Sequence, residues 1–210
     1  MNKRFLTIMA IITVVFVGLL VFNKKEAPPQ TNNTQTTNHT YGEGKSGVVL
    51  IEYGDFQCPA CQDYYSVIKQ IKEKYKDQIT VQFRHFPIVS AHQNAMVAHR
   101  AAEAAAKQDK FWEMHDLLYQ NQKSWDTSNS AMKFFEDYAM SLSLDMERFR
   151  QDAAREEVNS SIKADLEAGN SIGVGGTPSF VLDGKLIETP NSIESFEQLI
   201  DEAIKAKSTS

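Results

Sequence analysis

The stretch Gly47-Val-Val-Leu-Ile-Glu-Tyr53, followed at once by Gly54-Asp-Phe-Gln-Cys-Pro-Ala-Cys61, decides the fold. Its first half is an apolar run that ends at Gly54, which is typical of a buried β-strand. In its second half, Pro59 suits the first position of a helix. The helix is predicted from apolar residues at three-to-four spacing, namely Cys61, Tyr64, Tyr65, Ile68, Ile71 and Tyr75. The two cysteines are therefore expected where a strand gives way to a helix.

The rest of the chain supplies the other elements of an α/β domain. A second strand is predicted at 79–83, and helical composition follows at 91–108, 110–120, 131–140 and 145–168. Asp183-Gly184 lies between two short apolar runs and predicts a hairpin with a type I′ turn. An amphipathic helix over 192–205 closes the chain. The order β-α-β, helical block, β-β-α predicts a thioredoxin fold with a helical insertion domain.

The N-terminal segment predicts a membrane anchor. Residues 5–22 are an uncharged apolar run, long enough to cross a bilayer as a helix, and they follow Lys3 and Arg4. The run lacks the small-x-small pattern of a cleavage site, so we expect an uncleaved, single-pass signal anchor. Residues 1–4 are then cytoplasmic and the folded domain lies outside the cell membrane. Secretion after signal cleavage is the alternative.

Composition sets the expected domain limits. Residues 23–43 are rich in Asn, Thr, Gln and Pro, which predicts a flexible linker. The thioredoxin-type domain is expected over 44–207, with the helical insertion at 88–170. The 210-residue chain has a formal net charge of -5, and its first forty residues carry a surplus of positive charge. The acidic remainder repels phosphate backbones, so no nucleic-acid partner is predicted.

Cys58 and Cys61 are the two cysteines of the chain. A structural disulfide is a poor interpretation, because closing about four residues stabilises a fold by only roughly 2 kcal/mol. A zinc site of the paired-cysteine type lacks its second pair, so no metal is predicted. A redox pair fits better, since a helix N-terminus lowers the pKa of a thiol. Cys58 is then the attacking sulfur, and Cys61, one turn further on, releases the mixed disulfide.

Strand alternation places Glu52 on the same face as Val48 and Leu50. This pattern predicts a buried carboxylate beneath the cysteines, with a raised pKa, that relays the proton of Cys61. The alternative is an edge position with the carboxylate in water. Asp55, in the strand-to-helix loop, is expected to be solvated.

The histidines are interpreted as structural rather than as metal ligands. His92 and His99 lie seven residues apart on one predicted helix, about 10 Å along its axis, which does not suit one ion. The same interpretation is given to His85 and His115.

The Cys58-Pro-Ala-Cys61 motif and Gly175-Gly-Thr-Pro-Ser-Phe180 together resemble the DsbA-like thioredoxin family, in particular its membrane-anchored bacterial members. The likeness covers about residues 44–204, and the segments 83–87 and 110–116 look like the family's insertion region. The resemblance implies a cis Thr177–Pro178 bond beside the cysteines. It implies the catalytic residues Cys58, Cys61, Glu52 and Pro178, and a substrate-binding surface formed by Thr177, Pro59 and Ala60.

The resemblance also implies a function. The chain would be a thiol–disulfide oxidoreductase, without a cofactor of its own, that forms disulfides in exported proteins with paired cysteines. A membrane quinone-linked oxidase would recharge it. Ala60 stands where the best-known strong oxidants of the family have histidine, so the direction of catalysis stays open. A disulfide isomerase or reductase using the same residues is one alternative, and a non-catalytic peptide-binding or chaperone module is another.

Overall fold

The computed structural model of the protein describes residues 35–209. The expected anchor at 5–22 and the first part of the expected linker lie outside this range, so these two interpretations stay predictions. Between residues 35 and 209, none of the helices combines the length and the apolar character that a membrane span requires.

A mixed sheet organises the described part of the chain. Its strands are β1 (His39–Tyr41), β2 (Val48–Gly54), β3 (Ile79–His85), β4 (Ser179–Leu182) and β5 (Lys185–Ile187). Their spatial order is β1-β3-β2-β4-β5. The central strand β2 pairs parallel with β3 and antiparallel with β4, while β1 and β5 pair antiparallel at the two edges. The expected β-α-β unit and C-terminal hairpin are both present.

Helices α1 (Pro59–Tyr75) and α8 (Ile193–Ser208) cover one part of this sheet. Their apolar residues form a buried cluster with the strands, whose members include Val48, Leu50, Ile68, Ile71, Phe180, Phe196 and Ile200. Burying side chains of this size contributes about 1.5–3 kcal/mol each. Of the apolar residues spaced three to four apart in the sequence, Tyr64, Ile68, Ile71 and Tyr75 therefore form the face of α1 that packs on the sheet, whereas Cys61 and Tyr65 face the insertion.

The insertion consists of six helices between β3 and β4. They are α2 (Ala95–Ala106), α3 (Phe111–Gln120), α4 (Gln122–Trp125), α5 (Ala131–Ser141), α6 (Met146–Ala153) and α7 (Glu156–Ser171). Buried alanines along α2 let its neighbours approach closely, and the cluster around them also contains Phe56, Cys58 and Cys61. The insertion thus shares one core with the cysteine pair.

One predicted helix is two helices in the structure. The segment 145–168 was expected to be continuous, but α6 ends at Ala153 and α7 begins after Arg155, whose backbone is extended with φ -70° and ψ 141°. The Ala153 carbonyl accepts a hydrogen bond from Arg100 Nε at 2.5 Å. A side chain from α2 therefore caps α6 at the point where the sequence pattern predicted continuation.

The hairpin turn is confirmed. Asp183 has φ 49° and Gly184 has φ 79°, and a type I′ turn requires positive φ at both central residues.

The predicted linker 23–43 is wrong for residues 35–43, which belong to the fold. Asp165, buried on α7, accepts hydrogen bonds from the Thr37 N–H at 2.9 Å and the Thr37 hydroxyl at 2.5 Å. It also accepts from Arg84 at 2.9 Å and from the His85 N–H at 3.0 Å. Trp112 Nε1 donates to the Thr40 carbonyl at 2.9 Å. Polar contacts order this segment, so its lack of aliphatic residues was misleading.

Replacing Asp165 with Asn should destabilise the fold by roughly 3 kcal/mol, because it leaves the largely buried Arg84 guanidinium without its counter-charge. Glu167→Gln, an exposed position on the same helix, is the matched control and should change stability by less than about 0.5 kcal/mol. Urea unfolding of both variants measures the difference. Equal stabilities would show that Asp165 does not anchor the N-terminal segment.

Candidate active site

Cys58 lies at the junction between the end of β2 and the start of α1. It is the N-cap residue of α1, with extended backbone at φ -70° and ψ 123°, and Pro59 follows at the first helical position. Its N–H donates to the Asp55 carbonyl at 3.1 Å, and its carbonyl accepts from the Gln62 N–H at 3.2 Å. The junction is tight, since a Cβ on Gly54 would lie 2.6 Å from the Phe83 ring.

The two sulfurs, which are not bonded to each other here, have opposite electrostatic environments. A hydrogen bond from the Cys61 thiol lowers the pKa of Cys58 to about 5, helped by Thr177 and by backbone N–H groups of Ala60 and Cys61, against the effect of burial. Cys61 is fully buried, and burial, together with Cys58 and Glu52, raises its pKa well above the usual value. Near neutral pH, one sulfur is a thiolate and the other a thiol.

The Thr177–Pro178 segment lies beside the attacking sulfur. Its peptide bond is cis, as predicted. The Cys58 sulfur lies 3.4 Å from the Thr177 carbonyl oxygen, and Pro59 and Ala60, which follow Cys58, are exposed. The structure therefore brings together the residues expected to bind substrate. Their role in binding stays a prediction.

Glu52 lies in the middle of the sheet, between Phe83 of β3 and Phe180 of β4. Only 3% of its surface is exposed, which excludes the alternative of a solvated edge position. Burial raises the pKa of Glu52 to about 7, and the Lys72 charge acts against this shift. The Glu52 side chain lines a small gap together with Lys72, His115 and Tyr119, which is too narrow to hold a water molecule.

Lys72 is a site residue that the sequence analysis did not single out. It is buried although it is charged, with Nζ 3.7 Å from the centre of the Trp112 ring and 4.7 Å from that of Tyr41. The two rings partly replace water around the ammonium group. Lys72 lies four residues after Ile68 and seven after Tyr65, so its position is on the apolar face of α1 and only its charge suggests an exposed side chain.

Asp55 is also buried, so its expected solvation is wrong. Its carboxylate accepts from the Gln57 N–H at 2.8 Å, the Ile88 N–H at 2.7 Å and His92 Nδ1 at 2.7 Å. Burial would raise the pKa of Asp55, but His99, with Nε2 at 3.8 Å, and the bonds from His92 and Ile88 lower it to about 2. Asp55 thereby fixes the loop that precedes Cys58.

The helical insertion also holds the loop that precedes Cys58, through hydrogen bonds of glutamine side chains. Gln122 Nε2 donates to the carbonyls of Phe56 at 2.8 Å and Cys58 at 2.9 Å. Gln57 Nε2 donates to the Asp126 carbonyl at 2.7 Å, and Gln57 Oε1 accepts from the Asn94 N–H at 2.6 Å. These residues carry no sequence signature, because a glutamine in a helical segment looks like an ordinary surface residue.

Residues 34–202 match the model of a protein family described as Thioredoxin. The chain belongs to this thioredoxin family. The predicted thioredoxin-type fold is confirmed for the described residues.

Two curated relatives show how the domain occurs elsewhere. Over 163 residues, or 78% of its length, the chain is 33% identical to Na(+)/H(+) antiporter NhaA 3 of Salinispora tropica. It spans about a quarter of that protein, since the match covers 24% of it. Over 208 residues it is 28% identical to the Probable disulfide bond formation protein D of Bacillus cereus, covering 95% of this chain and 94% of the relative.

Solved structures share the fold. Wolbachia pipientis α-DsbA1 superposes with a TM-score of 0.73 at 20% identity, covering 83% of this chain and 94% of that one. Oxidised BdbD from Bacillus subtilis superposes with a TM-score of 0.70 at 19% identity, and the match covers 80% of this chain and 93% of that one. The predicted resemblance to DsbA-like proteins is confirmed at the level of the fold.

Thiolate absorbance in the reduced protein should titrate with a midpoint near pH 5 and an amplitude of one thiolate per chain, because Cys58 ionises while Cys61 stays protonated. Cys61→Ala removes the largest stabilising contribution and should raise this midpoint. Cys58→Ser should abolish the transition and serves as the control. A midpoint near 9 in the unmodified protein would contradict the assignment.

Glu52→Gln should make the oxidised protein more stable at pH 8, relative to the unmodified chain, but not at pH 4. A folded-state pKa near 7 exceeds the unfolded value of 4.5, so the folded chain holds the proton more tightly. Stability is therefore lost as pH rises from 4.5 to 7, by up to roughly 3 kcal/mol. Urea unfolding across this range measures the effect, with Glu188→Gln, an exposed carboxylate, as the control. If the free energy of unfolding depended on pH in the same way in Glu52→Gln and in Glu188→Gln, the raised pKa of Glu52 would be refuted.

Proposed function

We propose that the chain oxidises paired thiols in exported proteins by transferring the Cys58–Cys61 disulfide to them. A substrate thiolate attacks Cys58 Sγ, the Cys58–Cys61 bond breaks, and Cys61 leaves with the electron pair. Glu52, which carries a proton for about half of the time near pH 7, supplies it to Cys61. A second substrate thiolate then attacks the substrate sulfur of the mixed disulfide, and Cys58 leaves as a thiolate. Two electrons pass from substrate to enzyme.

The position of Cys58 at the N-terminus of α1, where the Cys61 thiol and backbone N–H groups lower its pKa to about 5, is the observation that carries this proposal. A thiol whose pKa falls from 9 to about 5 stabilises the reduced protein at pH 7 by roughly 3 kcal/mol. Since 1.4 kcal/mol corresponds to about 30 mV for this couple, the shift makes the disulfide more oxidising by roughly 60 mV. Ala60 supplies no side-chain hydrogen bond, yet the Cys61 thiol and the helix N-terminus supply this stabilisation. Oxidation of substrates is therefore favoured over reduction.

The location and the recharging partner are part of the same proposal. Residues 5–22 would hold the domain at the outer face of the cell membrane, as the sequence of that segment suggests. A reduced Cys58–Cys61 pair must give its two electrons to another oxidant before it can act again. The resemblance to the DsbA-like family suggests a membrane quinone-linked oxidase for this step.

The reduction potential of the Cys58–Cys61 pair tests the direction of catalysis. Equilibration with glutathione buffers should give a value well above the roughly -270 mV of thioredoxin. A value near that of thioredoxin would contradict the proposal and indicate a reductase.

Two variants test the roles of the sulfurs in the same reaction. Offered a substrate peptide that contains a disulfide, Cys61→Ser should accumulate a mixed disulfide through Cys58, because no intramolecular thiol can release it. Cys58→Ser should form none and should lack turnover. Turnover equal to that of the unmodified protein in both variants would refute the enzyme. Binding of the peptide without any thiol exchange would indicate a peptide-binding module.

A further inference from the structure

A cluster of metal-binding side chains lies apart from the cysteine pair. His39 of β1, His85 of β3 and Glu103 of α2 offer three ligand atoms that all lie within 4.8 Å of one another. Both histidines direct Nε2 at the same carboxylate oxygen, Glu103 Oε1, and His85 Nε2 lies 2.7 Å from it. The side chain of His85 is fully buried, whereas His39 keeps 12% of its side-chain surface exposed.

The surrounding structure fixes these ligands in place. The His39 ring stacks on Phe111, with centroids 3.6 Å apart and planes at 4°. The three ligands come from three different elements, so the folded chain brings them together independently of local sequence spacing. In a tetrahedral zinc site with bonds of about 2.0–2.1 Å, the ligand atoms lie about 3.3 Å apart. Shifts of less than about 1 Å would turn the observed cluster into such a site.

The proton arrangement behind the cluster points to a cation within it. His85 Nδ1 and His99 Nδ1 lie 2.5 Å apart, so one of them must donate a proton to the other. If neutral His85 donates from Nε2 to Glu103, its Nδ1 can only accept, and His99 must then donate from Nδ1. This leaves His99 Nε2 without a proton. That atom is buried, has no hydrogen-bond partner among the described residues, and lies 3.8 Å from the Asp55 carboxylate.

A cation bound to His85 Nε2 would reverse this unfavourable arrangement. His85 would carry its proton on Nδ1 and donate it to His99 Nδ1, and His99 would carry its proton on Nε2, facing Asp55. Histidines that bind metal ions characteristically donate from the other ring nitrogen to a second group in this way. The chain His85–His99–Asp55 thus has the form of the outer layer of a metal site.

We propose that His39, His85 and Glu103 form a binding site for a Zn²⁺ ion. Two imidazole nitrogens and one carboxylate suit zinc, whereas Ca²⁺ and Mg²⁺ prefer oxygen ligands alone. The ion would connect β1 to β3 and α2, and would therefore stabilise the attachment of the N-terminal strand. This proposal does not depend on the proposed thiol chemistry.

Zinc titration by calorimetry tests the site in the full-length chain. The protein is purified in detergent without a polyhistidine tag, stripped with a chelator, and kept with Cys58 and Cys61 as a disulfide so that the thiols cannot bind the ion. We expect one zinc per chain. His39→Gln should weaken binding more than a hundredfold, and zinc should raise the unfolding temperature of the unmodified chain but not of this variant. Co²⁺ should give visible absorption bands of a tetrahedral site without a thiolate charge-transfer band.

His115→Gln is the matched control, because His115 also contacts the Phe111 ring but lies outside the cluster. It should keep the zinc affinity of the unmodified chain. Glu103→Gln should also lose zinc binding. If this buried variant fails to fold, the test rests on His39→Gln, because the His39 side chain is partly exposed. Undetectable zinc binding, or equal affinities in His39→Gln and His115→Gln, would overturn the proposal. The cluster would then be a hydrogen-bonded network in which an extra proton on a histidine takes the place of the ion.

Discussion

The site depends on the stabilisation of the Cys58 thiolate at the N-terminus of α1, to which the Cys61 thiol makes the largest contribution. It works because the two sulfurs have different surroundings although only two residues separate them. Cys58 faces unpaired N–H groups at the start of the helix, whereas Cys61 lies inside the apolar core. An ionised Cys61 would be unfavourable in that core, so the negative charge stays on Cys58. Cys58 is therefore suited to leave as a thiolate, and Cys61 is suited to accept a proton.

The position of Cys58 depends in turn on the helical insertion. Asp55 binds the Ile88 N–H and His92, and Gln122 binds two carbonyls of the loop. These buried hydrogen bonds would each cost about 1–3 kcal/mol if one partner were removed. The loop therefore has little freedom to move relative to the insertion. In this structure the insertion is a supporting part of the active site as well as a cover for one end of the sheet.

The features that the sequence predicted are those governed by local pattern. The strand before Gly54, the helix after Cys58 and the buried face of Glu52 all follow from periods of two or three-to-four residues. The features that it did not predict depend on contacts distant in sequence. Residues 35–41 are ordered by Asp165, more than 120 positions away, and α6 is capped by Arg100. Asp55 was expected in water, because its partners cannot be recognised until the chain is folded.

Glu52 shows why a residue that weakens the fold can still belong to the site. A buried carboxyl group must either keep its proton or be paired with a positive charge. Lys72 compensates the charge of Glu52 only in part, because burial lowers the pKa of Lys72 itself. A glutamine would fill the same space without this cost, but it has no proton to transfer. Cys61 can leave as a thiol only if a proton reaches it in the core, and the charge of Glu52 contributes to its raised pKa. The poorly solvated carboxyl group is therefore consistent with the proposed proton transfer to Cys61.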